Sequence, residues 1–270
     1  MFTTFNRFHL GDNLIHLNYL RRLAMQHERE RFLHFCNRVH IGELVEAIFD
    51  VPNLQLSPLE HTPEGAVDAW IGADNYYYKS PIANDWIAFH LDWFEHLSRR
   101  LGLANPIKSE RDLLFDYPAL QAYSTDPFDF LIVNAKPLSN QFPEFSPESF
   151  ADLVQGLVRR RYKVMTTHPT GFCPATVESN LSITGIGGIS RFAKHIVSIM
   201  TGPMWPTFNV FATPQTRVVM HSHEELIATN TYNFKTFDEA VRFIWERDEH
   251  LSSHDAPAGA VVSVDGLRKR

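Results

Sequence analysis

Apolar runs of strand length alternate with amphipathic stretches of helical length along most of this 270-residue chain. That alternation restricts the fold more than any single motif does. A strand buried on both faces reads as a continuous apolar run, whereas a helix repeats its apolar positions near every 3.6 residues. Chains that alternate the two build α/β layers rather than all-helical or all-strand domains. The length suits two compact domains, and a hydrophobic content of 44% with 21 Phe can give each a core.

The spacing predicts a first strand over residues 2–10 and a first helix over 14–26. A second strand over 31–36, a short helix over 41–49 and a third strand over 66–72 follow, with 52–84 otherwise loop-like. Residues 85–101 form a strongly amphipathic helix, in which Trp86, Phe89, Trp93 and Leu97 recur near the helical period and Gly102 is the C-cap. Pro106, Pro118 and Pro127 mark 104–127 as a linker. Beyond it lie a strand over 128–134, then a helix capped by Ser146, opened by Pro147 and running to 161. A strand over 162–167, a helix over 189–198, a strand over 207–212 and a helix over 236–250 complete the second set. Residues 252–270 read as a frayed polar tail. The expected domains are therefore 1–115, 116–250 and a tail from 251 to 270. The first two are Rossmann-like lobes facing a cleft.

Charge and cysteine content narrow the function. The net charge is −6, which supplies no basic field for wrapping nucleic acid. No apolar run approaches the roughly 20 residues of a membrane span, which leaves peripheral membrane contact open. The N-terminus lacks the basic region and apolar core of a signal peptide, and Cys36 and Cys173 suggest no disulfide framework. A cytoplasmic protein with reduced thiols is expected.

Several segments can carry chemistry. In Leu10-Gly11-Asp12-Asn13, a strand ends in Gly-Asp and turns into a helix, which puts Asp12 at the carboxyl edge of a sheet, where ligands of α/β folds bind. Gly11 lets the backbone approach a ligand or phosphate closely. Asp12 is either a general base for a hydroxyl nucleophile or the N-cap of the first helix. Thr201-Gly202-Pro203 offers a hydroxyl, a permissive glycine and a proline that can open a helix. It can hold a diphosphate, or be an ordinary turn in which Trp205 fills core. Lys136, after the strand, can neutralise a leaving diphosphate or be a solvated loop lysine. Gly185-Ile186-Gly187-Gly188 lacks the third glycine of a dinucleotide fingerprint and reads as a flexible loop. His221-Ser222-His223-Glu224-Glu225 lacks metal-site spacing, so no metal is expected. Glu224 or Glu225 is either a ribose ligand or a solvated helix start. Cys173 has no activating partner nearby, and Tyr76-Tyr77-Tyr78 is a sugar-stacking surface or a lobe edge.

Taken together and in this order, these segments resemble the GT-B glycosyltransferases, most closely the heptosyltransferase-like family. The resemblance rests on Phe8 to Leu20, on residues 130–134 with Lys136 and Ser146-Pro147-Glu148, and on Phe192 to Pro206. It implies a GT-B fold with a shortened first lobe and an inverting, metal-independent glycosyltransferase without a cofactor. Asp12 would deprotonate the acceptor hydroxyl, while Thr201, Gly202, Pro203 and Lys136 would hold the diphosphate of a nucleotide-sugar donor. Gly11 and Asn13 would complete the acceptor or phosphate turn. The acceptor would be a glycan or another hydroxyl compound, such as a lipopolysaccharide precursor. Met200 stands where the family has Asp, and Trp205 where it has His. A nucleotide-sugar epimerase or hydrolase, and a non-catalytic nucleotide- or glycan-binding relative, are the alternatives.

Overall fold

The computed structural model describes residues 1–83, 85–137, 142–221, 230–251 and 268–269. The chain divides into two compact units, Met1–Leu120 with Phe208–Val210, and Gln121–Thr207 with Phe211–Arg270. Each is built on its own all-parallel sheet, so the fold is α/β with two Rossmann-like units. The smaller sheet, four strands against five, belongs to the first.

In the first unit, β1 (Phe2–Asn6), β2 (Phe32–Cys36), β3 (Leu54–Pro58) and β4 (Val67–Asp68) lie in the order β3-β2-β1-β4. The helices are α1 (Leu10–Gln26), α2 (Arg38–Leu44), α3 (Tyr76–Lys79), α4 (Trp86–Leu101) and α5 (Glu110–Leu113). β1 is shorter than predicted because Asn6 Oδ1 accepts the Phe8 N–H at 2.9 Å, a local turn that competes with the sheet ladder. α1 consequently starts at Leu10, with His9 as its N-cap. β4 shrinks for the same reason, since Asp68 Oδ1 accepts the Trp70 N–H at 3.0 Å. The helix expected over 41–49 begins at Arg38, where Asn37 caps it by accepting the Val39 N–H. β3 was not expected; its mostly part-exposed residues and terminal Pro58 suit an edge strand.

α4 forms as its pattern requires. Asp85 accepts the Ala88 N–H at 2.9 Å, and Gly102 closes the helix at φ 69°. Phe89, Trp93, Phe94 and Leu97 are buried, each worth about 1.5–3 kcal/mol of apolar transfer. The proline-marked stretch 104–127 is no loose linker. Ile107, Phe115, Tyr117 and Leu120 are buried, and Ser109 and Asp112 form a capping box over α5. Prolines there stiffen packed chain instead of releasing it.

In the second unit, β6 (Phe128–Val133), β7 (Val164–Thr166), β8 (Ala193–Ile199), β9 (Thr216–Met220) and β10 (Thr231–Phe234) lie in the order β10-β9-β8-β6-β7. α6 (Pro147–Arg159), α7 (Ile183–Ile189) and α8 (Phe237–Leu251) accompany them. Ser146 caps α6 through the Ser149 N–H at 3.1 Å, with Pro147 in the first turn as expected. The core gathers Ile132, Phe150, Leu157, Val197, Val218 and Ile244.

Three assignments in this unit are corrected. The helix expected over 189–198 is the strand β8, whose Ile196, Val197 and Ile199 favour a pleated surface. The glycine run taken for a flexible loop lies in α7, fully buried and capped by Ser182. A Cβ on Gly185 would lie 2.6 Å from Leu181, so close packing requires that glycine. The strand expected over 207–212 is also absent. A 3₁₀ helix, Gly202–Thr207, ends there, and β9 follows later. The tail residues 252–267 and 270 lie outside the described residues, while β11 (Arg268–Lys269) pairs antiparallel with β5 (Tyr123–Ser124).

In each sheet the strand order reverses once. The chain leaves β1 on one side for β2 and β3 and returns on the other side as β4; it leaves β6 for β7 and returns as β8. Ligands of open α/β sheets bind outside the carboxyl ends of the strands at such reversals.

Candidate active site

At the β1/β4 reversal, the turn Arg7-Phe8-His9 leads from strand to helix. Phe8 stacks on Trp70 at a centroid separation of 3.8 Å, so the pair spans the ends of the two strands. Arg7 and Asp68 form a 3.4 Å ion pair beside it. Trp70 is held close against the backbone, because a Cβ on Gly72 would come within 2.3 Å of its ring. Asp12 is not the N-cap: His9 holds that place, and Asp12 stands three residues on, in the first turn of α1. Its carboxylate lies in the field of the His9 backbone N–H and of its own, both of which favour the charged form.

The environment of Asp12 suits a base. Burial raises its pKa above the usual carboxylate value, while His9 and the two N–H groups pull the other way. A carboxylate made more basic by burial takes a proton more readily than a solvated one. Gly11 and Asn13 are buried. The Asn13 amide lies under the turn, where Nδ2 donates to the carbonyls of Phe8 at 3.3 Å and His9 at 2.9 Å.

At the β6/β8 reversal, the structure brings Lys136 and Thr201 to the ends of adjacent strands. Lys136 is exposed, three residues past β6. Thr201 is buried, its hydroxyl donating to the Ile199 carbonyl at 3.5 Å. Gly202 and Pro203 open the 3₁₀ helix rather than an α-helix, so the turn carries no long helix dipole. Met204 and Trp205 are buried beneath it. Its far end is fixed by Arg217, whose Nη1 donates to Thr207 Oγ1 at 2.7 Å and Nη2 to the Thr207 carbonyl at 2.9 Å. Burial lowers the Arg217 pKa to about 9, which leaves the guanidinium charged at neutral pH.

A group missed in the sequence lies at the neighbouring strand ends. Asn134, next after β6, accepts at Oδ1 from Thr167 Oγ1 at 3.0 Å and from the His168 N–H at 2.9 Å. Its Nδ2 donates to the His168 carbonyl at 3.1 Å. This clamp fixes the backbone of His168, an exposed residue at the carboxyl end of β7. The one signal was a polar residue closing the apolar run Phe-Leu-Ile-Val.

Tyr76 donates its hydroxyl to Asp92 and packs on Trp93, while Tyr78 is exposed. Cys36 and Cys173 are free, and burial raises both thiol pKa values, that of Cys36 to about 11. His221 is buried at the end of β9, and Ser222, His223, Glu224 and Glu225 lie outside the described residues. Among the described residues no three His, Cys, Asp or Glu side chains cluster as metal ligands, and no helix is long and apolar enough to cross a membrane.

No family model and no curated protein sequence matches the chain. Solved structures do. The Escherichia coli heptosyltransferase WaaC with ADP-2-deoxy-2-fluoro heptose aligns with a TM-score of 0.59 at 12% identity, covering 92% of this chain and all of that one. A glycosyl transferase of family 9 from Veillonella parvula aligns at 0.52 and 11% identity, covering 94% and 90%. The iron-containing dodecameric glycosyltransferase TibC from enterotoxigenic E. coli aligns at 0.54 and 15% identity, covering 87% and 62%. The chain has a heptosyltransferase-like fold, as its sequence motifs implied.

Proposed function

We propose that the chain is a glycosyltransferase that moves a sugar from a nucleotide-sugar donor to a hydroxyl acceptor, with inversion and without a metal. The observation that carries this reading is the setting of Asp12. It is a partly buried carboxylate with a pKa raised by burial, in the first turn of the helix that leaves the strand reversal of its sheet. The heptosyltransferase-like fold supports it.

In this scheme the second unit binds the donor. Lys136 neutralises charge developing on the leaving diphosphate, while the Thr201-Gly202-Pro203 turn and the backbone held by Asn134 line its path. Asp12 of the first unit takes the proton of the attacking hydroxyl as that oxygen bonds to the anomeric carbon and the diphosphate departs. Single displacement inverts the anomeric centre. Positioning, a base and leaving-group stabilisation suffice, so no cofactor is needed. The structures in complex with ADP and an ADP-heptose analogue make ADP-linked heptose the first donor to try.

The test is a thermal-shift panel of ADP, GDP, UDP, CMP and their sugar conjugates, followed by product analysis. A binding nucleotide raises the melting temperature by mass action. A shift for one nucleotide family, then transfer of its sugar with inverted anomeric configuration and undiminished by chelator, is the expected outcome. Release of free sugar with no acceptor present points to a hydrolase. A flat panel sinks the enzyme reading.

A further inference from the structure

Beneath the turn that carries Asp12, a chain of buried polar side chains runs from the sheet to α1. Thr4 of β1 and His34 of β2 are register partners. Thr4 Oγ1 and His34 Nδ1 are 2.9 Å apart, and His34 Nε2 lies 2.9 Å from Asn13 Oδ1. His16 Nε2 meets Thr4 Oγ1 at 3.4 Å. All four residues are at most 2% exposed.

The direction of each bond follows from its neighbours. Two backbone carbonyls face one end of the Asn13 amide and can only accept, so that end is Nδ2 and the other is Oδ1. His34 Nε2 therefore carries the proton and donates to Oδ1. His34 Nδ1 is then the acceptor, and the Thr4 hydroxyl donates to it. His16 Nε2–H donates to the remaining lone pair of Thr4. One tautomer of each imidazole accounts for these bonds, and it leaves His16 Nδ1 buried without a partner among the described residues. Burial lowers the pKa of His34 to about 3, so the imidazole stays neutral across the physiological range.

We propose that His34 is a positioning residue for Asp12. By donating to Asn13 it fixes the amide that clamps the Phe8 and His9 carbonyls, and with them the first turn of α1 in which Asp12 stands next to Asn13. The inference rests on the reading of Asp12 as the base. An apolar filler between β1, β2 and α1 would avoid the cost of burying four polar groups. Here the donors of Thr4 and His34 are directed in sequence toward Asn13, the residue beside the carboxylate.

The test is a titration of Asp12 by carboxyl-carbon NMR in the full-length protein, with the resonance assigned from Asp12→Asn. His34→Leu removes the donor to Asn13, loosens the turn and weakens the N–H field that favours the carboxylate. The Asp12 pKa is expected to rise by about half a unit or more. His34→Gln places an amide nitrogen near the position of Nε2 and is expected to restore titration to within about 0.2 units of wild type. Should His34→Leu fail to fold, Asn13→Ser is expected to give the same rise. Asp12 titrating unchanged in the folded variants overturns the proposal, even if Asp12→Asn is inactive in transfer. Coupled titration with an active Asp12→Asn instead refutes the base reading, and with it the catalytic use of the network.

Discussion

Acid should unfold the first unit well before the second, because of where the buried histidines lie. His16, His34 and His90 are all buried in the first unit, and burial depresses their pKa values. His34 falls to about 3, His90 to about 4 and His16 well below its usual value. The unfolded chain binds protons at these sites near pH 6.5, and the folded chain refuses them. Below about pH 6.5 the unfolded state therefore holds more protons, and stability falls with pH by about 1.4 kcal/mol per unit for each histidine. Three such groups give about 4 kcal/mol per pH unit down to about pH 4. Asp12 opposes them with one proton, since its raised pKa makes the folded state favour protonation there. The second unit contributes His195, also depressed to about 4, and His168, lowered by desolvation. Against a domain stability on the order of 5–15 kcal/mol, the first unit should unfold within about one to three units below pH 6.5. Urea titrations from about pH 7.5 down to about pH 5, read by pulsed hydrogen exchange on peptides of each unit, measure both slopes. His90→Leu should flatten the first unit's slope by about a third. A first-unit slope no steeper than that of the second refutes the reasoning.

Gly72→Ala drives a Cβ into the Trp70 ring and should cost about 1–3 kcal/mol while disrupting the Phe8 stack; Gly42→Ala, with open space in α2, should be neutral or stabilising. Melting temperatures of the two variants check the contrast. Asn134→Ala removes three side-chain hydrogen bonds to Thr167 and His168 and should destabilise the second unit by about 2–4 kcal/mol, read as a lower urea midpoint. Lys136→Ala should weaken nucleoside diphosphate binding by about tenfold or more in calorimetry with no change in melting temperature of the free protein.

Much of the architecture was legible because burial writes a simple signature. The run 128–134 and the α4 pattern gave their elements directly, and Ser146-Pro147 and Gly102 marked their boundaries by cap chemistry. The failures have common physical causes. Asn6 and Asp68 ended their strands through side-chain bonds to the following backbone, which the apolar pattern does not reveal. α7 is so tightly packed that Gly185, of a type elsewhere a sign of loops, serves close approach. Asp12 was visible, but its place inside the first turn depended on where β1 stopped. The network under it left no trace in the sequence. Thr4, Asn13, His16 and His34 look like polar interruptions until the fold brings them together.

The central claim is that Asp12 is the base of a sugar transfer, and the rate ratio of wild type to Asp12→Asn at saturating donor tests it most directly. Asparagine keeps the shape but cannot take the proton. With the sugar conjugate of whichever nucleotide binds, transfer should fall by about 100-fold or more. Donor affinity should stay within about twofold of wild type, because Asp12 acts on the acceptor hydroxyl. An Asp12→Asn enzyme that transfers at the wild-type rate contradicts the account.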